Sequence, residues 1–430
     1  MLNIAYLSPF PPKPTGIALY SHELVAELRK IMCVHCLDHS NESAGDLTET
    51  FGDFERTGHL RDLVSYDAVI YHLGNNPHFH LDIFRILRQW PGIVVLHDVV
   101  LYYLFAGLGR SGLLKYLLVC EGSSGVKSLE EITGDSPLGD ILRYQEPENH
   151  PLTAAIFPYA TSIVVHNAAA KNHVETLGYA GPIHVIPLLR YSQTVSASAD
   201  ERRAVRKRWK LRPDALVIGC FGFIGRTKRI PIVCSALAML KGKLNFQLLI
   251  VGTGDNVVGD LERENLMSET VVTAFVTDAE FDQLLGVTDI LVNLRFPSMG
   301  ESSATLVQAL SRGIACIVTD DASFSELPDG AVVKIRPDDR EIESIVAAIE
   351  RLSNQEYRAA VGGAARLYSN QLSPSPIAHH YQRAIASDVA HRAQEAMIHR
   401  AGTNDGETYI AEMMNSTLAR SLPKHLGKSR

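Results

Sequence analysis

The sequence predicts an α/β fold built on two open, mainly parallel sheets, and three observations carry that prediction. Apolar runs of strand length alternate with helical stretches in both halves of the chain, the pattern of repeated βα units with helices on both faces of a sheet. A polar, charge-dense stretch, SASADERRAVRKRWKLRPD (196–214), breaks the rhythm near the middle, after which the alternation begins afresh. The chain has 430 residues, roughly two to three times an ordinary domain, so two cores are expected rather than one.

In the first half, strands are expected at NIAYLS (3–8), around 33–37, and at AVIYHLG (68–74), IVVLHD (93–98), SIVVHN (162–167) and IHVIP (183–187), with helices at 18–30 and 79–89. Between Gly109 and Leu152 the alternation lapses. The Gly/Ser-rich EGSSGV (121–126) and the polar QEPENHP (145–151) there read as an insertion or mobile loop beside a cleft. The second half supplies LVIGCFG (216–222), FQLLIVG (246–252), VVTAF (271–275), DILVNL (289–294), IACIVT (314–319) and AVVKI (331–335), then a mostly helical stretch from Glu341 to Gln394. Residues 401–430 contain Gly, Asn, Ser and Pro and finish on the basic PKHLGKSR, so partial disorder is expected there.

Composition narrows the function classes. Hydrophobic residues at 46% and charged residues at 21% are ordinary for a globular protein, and apolar runs such as FQLLIVG are strand-sized, so no segment reads as a membrane span. The opening MLNIAYLSPFPP lacks a basic n-region and a cleavable small-residue site, which places the expected protein in the cytoplasm. A net charge of −7 argues against nucleic acid as a partner. Six scattered cysteines suit a reduced compartment. Cys33 and Cys36 form one CxxC that, with His35 and His39, reads either as a redox or metal half-site or, as adopted here, as a buried strand. The cluster Arg202, Arg203, Arg206, Lys207, Arg208 and Lys210 reads either as a peripheral contact with anionic lipid of the inner membrane or as a solvated linker helix.

Open α/β sheets bind ligands at the carboxyl ends of their strands, so the strand-to-helix loops are the places to look. SPFPPKPTGIALYSHEL (8–24) brings Thr15 and Gly16 to a helix entry, either a phosphate site or a Pro-rich turn. RFPSMGESSATLVQAL (295–310) opens a helix with Ser302, Ser303 and Thr305, a second anion-binding terminus, with Glu301 beside it as a sugar-hydroxyl acceptor or a helix-capping acid. FGFIGRTKRIPI (221–232) places Arg226 and Lys228 at a strand end, charge suited to a diphosphate leaving group or simply solvated surface. LHDVVLYYL (96–104) ends a strand on His97 and Asp98, catalytic candidates or a packed histidine and a helix cap.

Taken together, the 8–24 loop, the His97–Asp98 pair, VVHN (164–167), VIPL (185–188), the Lys228 loop, VGTGD (251–255) and the run from GESSATLVQALSRG (300–313) to SELPDG (325–330) resemble glycosyltransferase family 4, retaining enzymes of the GT-B fold, over residues 3–385. The resemblance implies two Rossmann-like domains facing each other across a donor-binding cleft. The expected division is an N-terminal acceptor domain at 1–190 with the insertion at 107–152, a linker at 191–214, and a nucleotide-sugar domain at 215–372. A helix at 373–395 is expected to pack back on the first domain, ahead of a tail at 396–430.

The same resemblance implies roles for individual residues. Gly16 would lie against the donor diphosphate, His97 on the transferred sugar, and Lys228 would be the lysine of the family's basic pair; Phe223 holds the arginine position after Gly222, with Arg226 as a substitute. Of the family's two spaced glutamates, the first position falls on Gly300, with Glu301 one place later, and the second falls on Gln308, which retains hydrogen-bonding capacity for a ribose hydroxyl. Glu326 matches a further acidic position; Thr15, Gly222, Ser302, Ser303, Ala304 and Thr305 complete the implied donor site, and Asn75 and Tyr102 are acceptor-side candidates, the tyrosine either stacking on sugar or packing inward.

The implied reaction is a front-face displacement with retention, with a UDP- or GDP-linked sugar as donor substrate and a carbohydrate, glycolipid or glycosylated molecule as acceptor, in polysaccharide, glycolipid or glycoconjugate assembly. The chain contains no Asp-x-Asp sequence, so neither a metal nor a separate cofactor is expected. A GT-B nucleotide-sugar epimerase or phosphorylase and a silent nucleotide-sugar-binding subunit share the fold. A nucleotide-dependent oxidoreductase fits less well, since VGTGDNVVG (251–259) has Val257 where a dinucleotide loop needs its third glycine.

Overall fold

The computed structural model describes residues 1–37, 60–134, 140–191 and 198–401. Every strand anticipated from an apolar run is present, and all pair in parallel in two six-stranded sheets. The first holds β1 (Asn3–Leu7), β2 (Cys33–Leu37), β3 (Ala68–Leu73), β4 (Gly92–Leu96), β5 (Ala160–Val165) and β6 (Ile183–Val185), in the order β2-β1-β3-β4-β5-β6. The second holds β7 (Leu216–Phe221), β8 (Phe246–Val251), β9 (Thr270–Thr273), β10 (Ile290–Asn293), β11 (Ala315–Thr319) and β12 (Val333–Ile335), in the order β12-β11-β10-β7-β8-β9. The direction of winding therefore reverses between β1 and β3 in one sheet and between β7 and β10 in the other. Such reversals open a crevice at the carboxyl ends of the flanking strands, where ligands bind in folds of this kind.

The first sheet is covered by α1 (Gly16–Leu28), α2 (Pro77–Leu87), α3 (Tyr102–Ala106), α4 (Gly109–Glu121), α5 (Gly125–Thr133) and α6 (Ala168–Thr176). Around the second lie α7 (Ala199–Arg208), α8 (Ile230–Leu240), α9 (Val258–Arg263), α10 (Asp278–Gly286), α11 (Ala304–Arg312), α12 (Ala322–Ser325), α13 (Glu341–Ser353) and α14 (Gln355–Ser369). Strands buried on both faces are apolar almost throughout, as in AVIYHL (68–73), because each face meets a separate helical layer. The last helix, α15 (Pro374–Ala401), crosses back to the first domain. There Ile377, Tyr381, Ala384 and Ile385 join the core beneath α1, Tyr381 and Tyr20 hydroxyls meet at 2.8 Å, and Thr161 donates to Asp388 at 2.6 Å.

One expectation is corrected and two open alternatives are narrowed. The stretch read as an insertion or mobile loop is largely helical: α4 and α5 bury Leu113, Tyr116, Leu117 and Leu129 against the first core, and EGSSGV is the tight connection between them. The arginines of 202–208 lie on a largely exposed helix, α7, as the linker-helix reading expects, and they are paired. Arg202 and Arg206 both reach Asp289, at 3.0 and 2.7 Å, Arg203 pairs with Asp200, and Arg208 with Glu280. In the CxxC, Cys36 is buried while Cys33 is exposed with its Sγ 3.2 Å from His35 Nε2; His39 lies outside the described residues. Among the described residues no group of three or more His, Cys, Asp or Glu could hold a metal, and no helix is long and apolar enough to cross a membrane. The expectation of a disordered tail falls mostly on 402–430, also outside the described residues.

Because Tyr381 is 1% exposed and its hydroxyl is paired, Tyr381→Ala is expected to destabilise the first domain by about 3 kcal/mol, most of it lost packing. Urea denaturation followed by circular dichroism would measure the loss.

Candidate active site

The second-domain half of the site is built by the loops after β7 and β10, the two strands at the switch point. β7 ends at Phe221, the chain turns through Gly222 at φ +94°, and a single helical turn at Arg226–Lys228 folds the lysine back beneath it. Lys228 is 7% exposed, and its ammonium donates to the Phe221 carbonyl. Phe296, after β10, donates its N–H to the Thr227 carbonyl at 3.0 Å and so ties the two loops together. The residue before it, Arg295, is held at its own N–H by Thr319 Oγ1 at 2.9 Å. Its guanidinium Nη1 donates to the Leu294 carbonyl at 3.2 Å, and Nε lies 3.2 Å from Glu301 Oε1. Glu301 is fixed in turn, because Oε2 accepts the Met299 N–H at 2.7 Å. Burial lowers the pKa of both Lys228 and Arg295, Lys228 falling well below the usual lysine value, with Arg295 as the largest neighbouring charge acting on it.

Opposite them the first domain presents a chain of imidazoles. His166 Nδ1 lies 2.9 Å from the Ile186 carbonyl, His166 Nε2 lies 3.2 Å from His97 Nδ1, and His97 Nε2 lies 2.9 Å from His72 Nδ1. A carbonyl only accepts, so His166 must carry its proton on Nδ1. Each neutral ring then donates from Nδ1 to the next ring's Nε2, which leaves His72 Nε2 as a buried lone pair without a partner. Tyr20 packs edge-on against His97 and His166. Burial depresses all three histidines, His166 to about 4, and in His72 and His97 the like charge of the neighbouring imidazoles adds to it. Asp98, next along, is pushed up to about 6 by burial; the Asn75 N–H it accepts at 2.9 Å and nearby Arg295 pull the other way, while Glu301 reinforces the rise.

The two halves touch. The Val99 N–H donates to the Met299 carbonyl at 3.0 Å, and Asn167 Nδ2 donates to the Gly300 carbonyl at 3.2 Å and to Ser302 Oγ at 3.0 Å. A side chain at Gly300 would collide with Val99, which is why the turn needs glycine. Glu326 accepts the Ala168 and Ala169 N–H groups at 3.0 and 2.7 Å, at the amino end of α6, where a carboxylate is favoured. Arg226 pairs with Glu148 at 2.5 Å. Between these contacts, a cavity of about 150 Å³ is lined by His166, Asn167, Ser302, Ser303, Glu326 and Tyr368, among others.

Of the residues singled out from sequence, the structure gathers Lys228, Glu301 and His97 at the facing switch-point loops. Others are placed differently. Arg226 points across to Glu148 rather than beside Lys228, and Glu326 is taken up by the first domain. Both ring nitrogens of His97 are occupied by histidines, so its imidazole is not free for a sugar. Tyr102 is fully buried with its hydroxyl on the Ile141 carbonyl at 2.9 Å, which corrects its reading as an acceptor platform; Asn75 caps the start of α3 by accepting the Tyr103 N–H at 2.8 Å. Ser303 caps α11 through the Leu306 N–H and donates to Asn293. Ala304, Thr305 and Gln308 lie on the half-buried part of that helix. Thr15 and Gly16 begin α1 with no side-chain cap, and a Cβ at Gly16 would meet open space. The residue missed was Arg295, whose signal was its place immediately after the apolar strand DILVNL.

Two Rossmann-like domains whose switch points oppose each other across a cleft define the GT-B fold. Residues 215–355, within the second domain, match the family described as Glycosyl transferases group 1. Solved structures of the same fold include HepE from Anabaena in complex with UDP-glucose (13% identity, TM-score 0.64, 90% of this chain and 100% of that one). Sucrose-phosphate synthase from Thermosynechococcus elongatus aligns at 15% identity and TM-score 0.62, over 91% of this chain and 100% of that one. WaaG, a glycosyltransferase involved in lipopolysaccharide biosynthesis, aligns at 14% identity and TM-score 0.58, over 89% of this chain and 99% of that one. No curated protein matches the chain in sequence.

The histidine chain predicts acid sensitivity. Its rings are neutral when folded but bind protons below about pH 6.5 when unfolded, so stability falls as pH drops from there toward 4. His166 alone contributes on the order of 3 kcal/mol to that limb. Asp98 acts oppositely, favouring the folded state as pH falls from 6 toward 3.8. His166→Asn is expected to flatten the acid limb, and Asp98→Asn to raise the melting midpoint by an amount that grows from pH 3.8 to pH 6 and is full above it, both read by thermal unfolding against pH.

Proposed function

We propose that the protein is a metal-independent glycosyltransferase that moves a sugar from a nucleoside-diphosphate sugar, UDP- or GDP-linked, to an acceptor hydroxyl with retention of configuration. The observation that carries this reading is the pair of buried cations, Lys228 and Arg295, at the switch point of the domain that holds the group 1 match. Positive charge in a site shielded from water stabilises a diphosphate as its bond to the sugar breaks, without a bridging metal. Glu301, once released from Arg295 and Met299, is the proposed acceptor for sugar hydroxyls, and Gln308 on α11 the proposed contact for the ribose. Binding of UDP and UDP-glucose by the structurally similar HepE supports a nucleotide-sugar donor.

The acceptor is proposed to be a carbohydrate, glycolipid or other glycosylated molecule entering from the first domain, on the cytoplasmic side. Any peripheral contact with the inner membrane would not run through Arg202 and Arg206, which are taken up by Asp289 of their own domain. A cavity of about 150 Å³ is smaller than the roughly 300–1,000 Å³ of ordinary ligand sites. Donor entry is proposed to part the Val99–Met299, Asn167–Gly300 and Glu326 contacts that flank it. An epimerase, phosphorylase or silent binding subunit is the second reading, favoured by the Glu301–Arg295 pair and by Gln308 in place of a carboxylate.

In a thermal-shift panel of UDP-, GDP- and dTDP-sugars, one base class is expected to stabilise the protein by on the order of 5 °C at a hundredfold excess over Kd. Lys228→Ala should abolish the shift. Nucleoside diphosphate release that depends on added acceptor identifies a transferase; turnover without acceptor, or binding without turnover, would select the second reading.

A further inference from the structure

Lys228 and Arg295 come from different strands yet form one buried unit. The Phe296–Thr227 hydrogen bond sets the two loops side by side, and each side chain is largely withdrawn from water, with the Arg295 side chain 14% exposed. Their negative partners do not balance them. Among the described residues Lys228 Nζ meets only the neutral Phe221 carbonyl, and Arg295 has Glu301 on Nε, the Leu294 carbonyl on Nη1, and no partner on Nη2. Asp98 lies close enough to act on Arg295 electrostatically but makes no ion pair with it. Two like charges held together away from water, with a single ion pair between them and the Nη2 edge of Arg295 unfilled among the described residues, favour a further bound anion. Phosphate oxygens on two adjacent phosphorus atoms match two adjacent cations, and the planar fork of an arginine suits bidentate contact with one of them.

We propose that Arg295 is the second cation of the diphosphate site and that it exchanges Glu301 for the diphosphate when donor binds. This rests on the nucleotide-sugar reading above. In the free protein the Arg295–Glu301 pair holds both side chains in place. Arrival of the diphosphate moves the guanidinium onto phosphate and frees the carboxylate for sugar hydroxyls. Arg226 has no part in this, since it faces Glu148.

The test is calorimetric titration of UDP, GDP and inorganic pyrophosphate into the wild type, Arg295→Gln, Arg295→Lys, Glu301→Gln and Arg226→Ala, with unliganded melting midpoints measured in parallel. Arg295→Gln should weaken the preferred nucleoside diphosphate and pyrophosphate at least tenfold, Arg295→Lys less so, and Arg226→Ala less than twofold. Glu301→Gln should tighten both ligands severalfold, because the competing carboxylate is gone. A merely structural ion pair would instead lower the melting midpoint in both Arg295 and Glu301 variants and leave the ligand affinity of the folded protein unchanged. If Arg295→Gln does not fold, Arg295→Lys and Glu301→Gln still decide, since only the exchange predicts weaker binding in one and tighter binding in the other. Wild-type affinity in Arg295→Gln would overturn this assignment alone. A wild type that binds neither nucleoside diphosphate nor pyrophosphate would overturn it together with the nucleotide-sugar reading.

Discussion

The charge buried at the end of β7 and β10 sets the terms for everything around it. Lys228 and Arg295 would each be far better solvated in bulk water, and a single carboxylate does not restore what burial removes. Their positions are held by backbone groups instead: the Phe221 and Leu294 carbonyls, the Thr319 hydroxyl and the Phe296–Thr227 bridge. A fold that fixes cations so firmly gives up stability to keep charge at one place, and active sites are where such an arrangement recurs.

Among the described residues the facing domain carries no such cations. Its histidine chain is buried and hydrogen-bonded so that no ring is protonated. Each ring donates to the next, the last donor ends on the Ile186 carbonyl, and burial depresses every member. Where the first domain does bring negative charge forward, at Asp98, burial pushes its pKa up to about 6. The histidines of the first-domain wall thus carry no positive charge at neutral pH, and the cations of the cleft come from the second-domain loops. The contacts across the cleft follow suit. Asn167 meets a carbonyl and a hydroxyl, Val99 meets a carbonyl, and the carboxylate of Glu326 is placed on the amide end of α6 rather than on the cations.

The fold was legible for a simple reason. Strands covered on both faces are apolar at nearly every position, so FQLLIV (246–251) and GIVVL (92–96) stand out without any alternation. The helices at 109–133 were not. Gly109, Gly112, Gly122 and Gly125 punctuate them, and glycine in sequence signals a loop, whereas here Gly125 is needed because a Cβ would strike the Leu117 carbonyl region of the neighbouring helix. The YY pair near His97 invited an acceptor reading from sequence proximity, but the short helix after the strand turns Tyr102 into the core.

Site residues divide along the same line. Lys228 was readable because it sits in a glycine-marked strand-to-helix loop, a pattern that carries its own physical meaning. Arg295 was not, because one arginine between an apolar strand and a proline looks like any loop cation, and its significance comes only from the winding reversal that brings β10 beside β7. Order along the chain separates these residues by an entire βαβαβα run; strand order makes them neighbours. The substitution at Phe223 has the same logic. A side chain 73% exposed on the β7 loop adds no charge to the cleft, whereas the loop that follows the adjacent strand β10 carries Arg295.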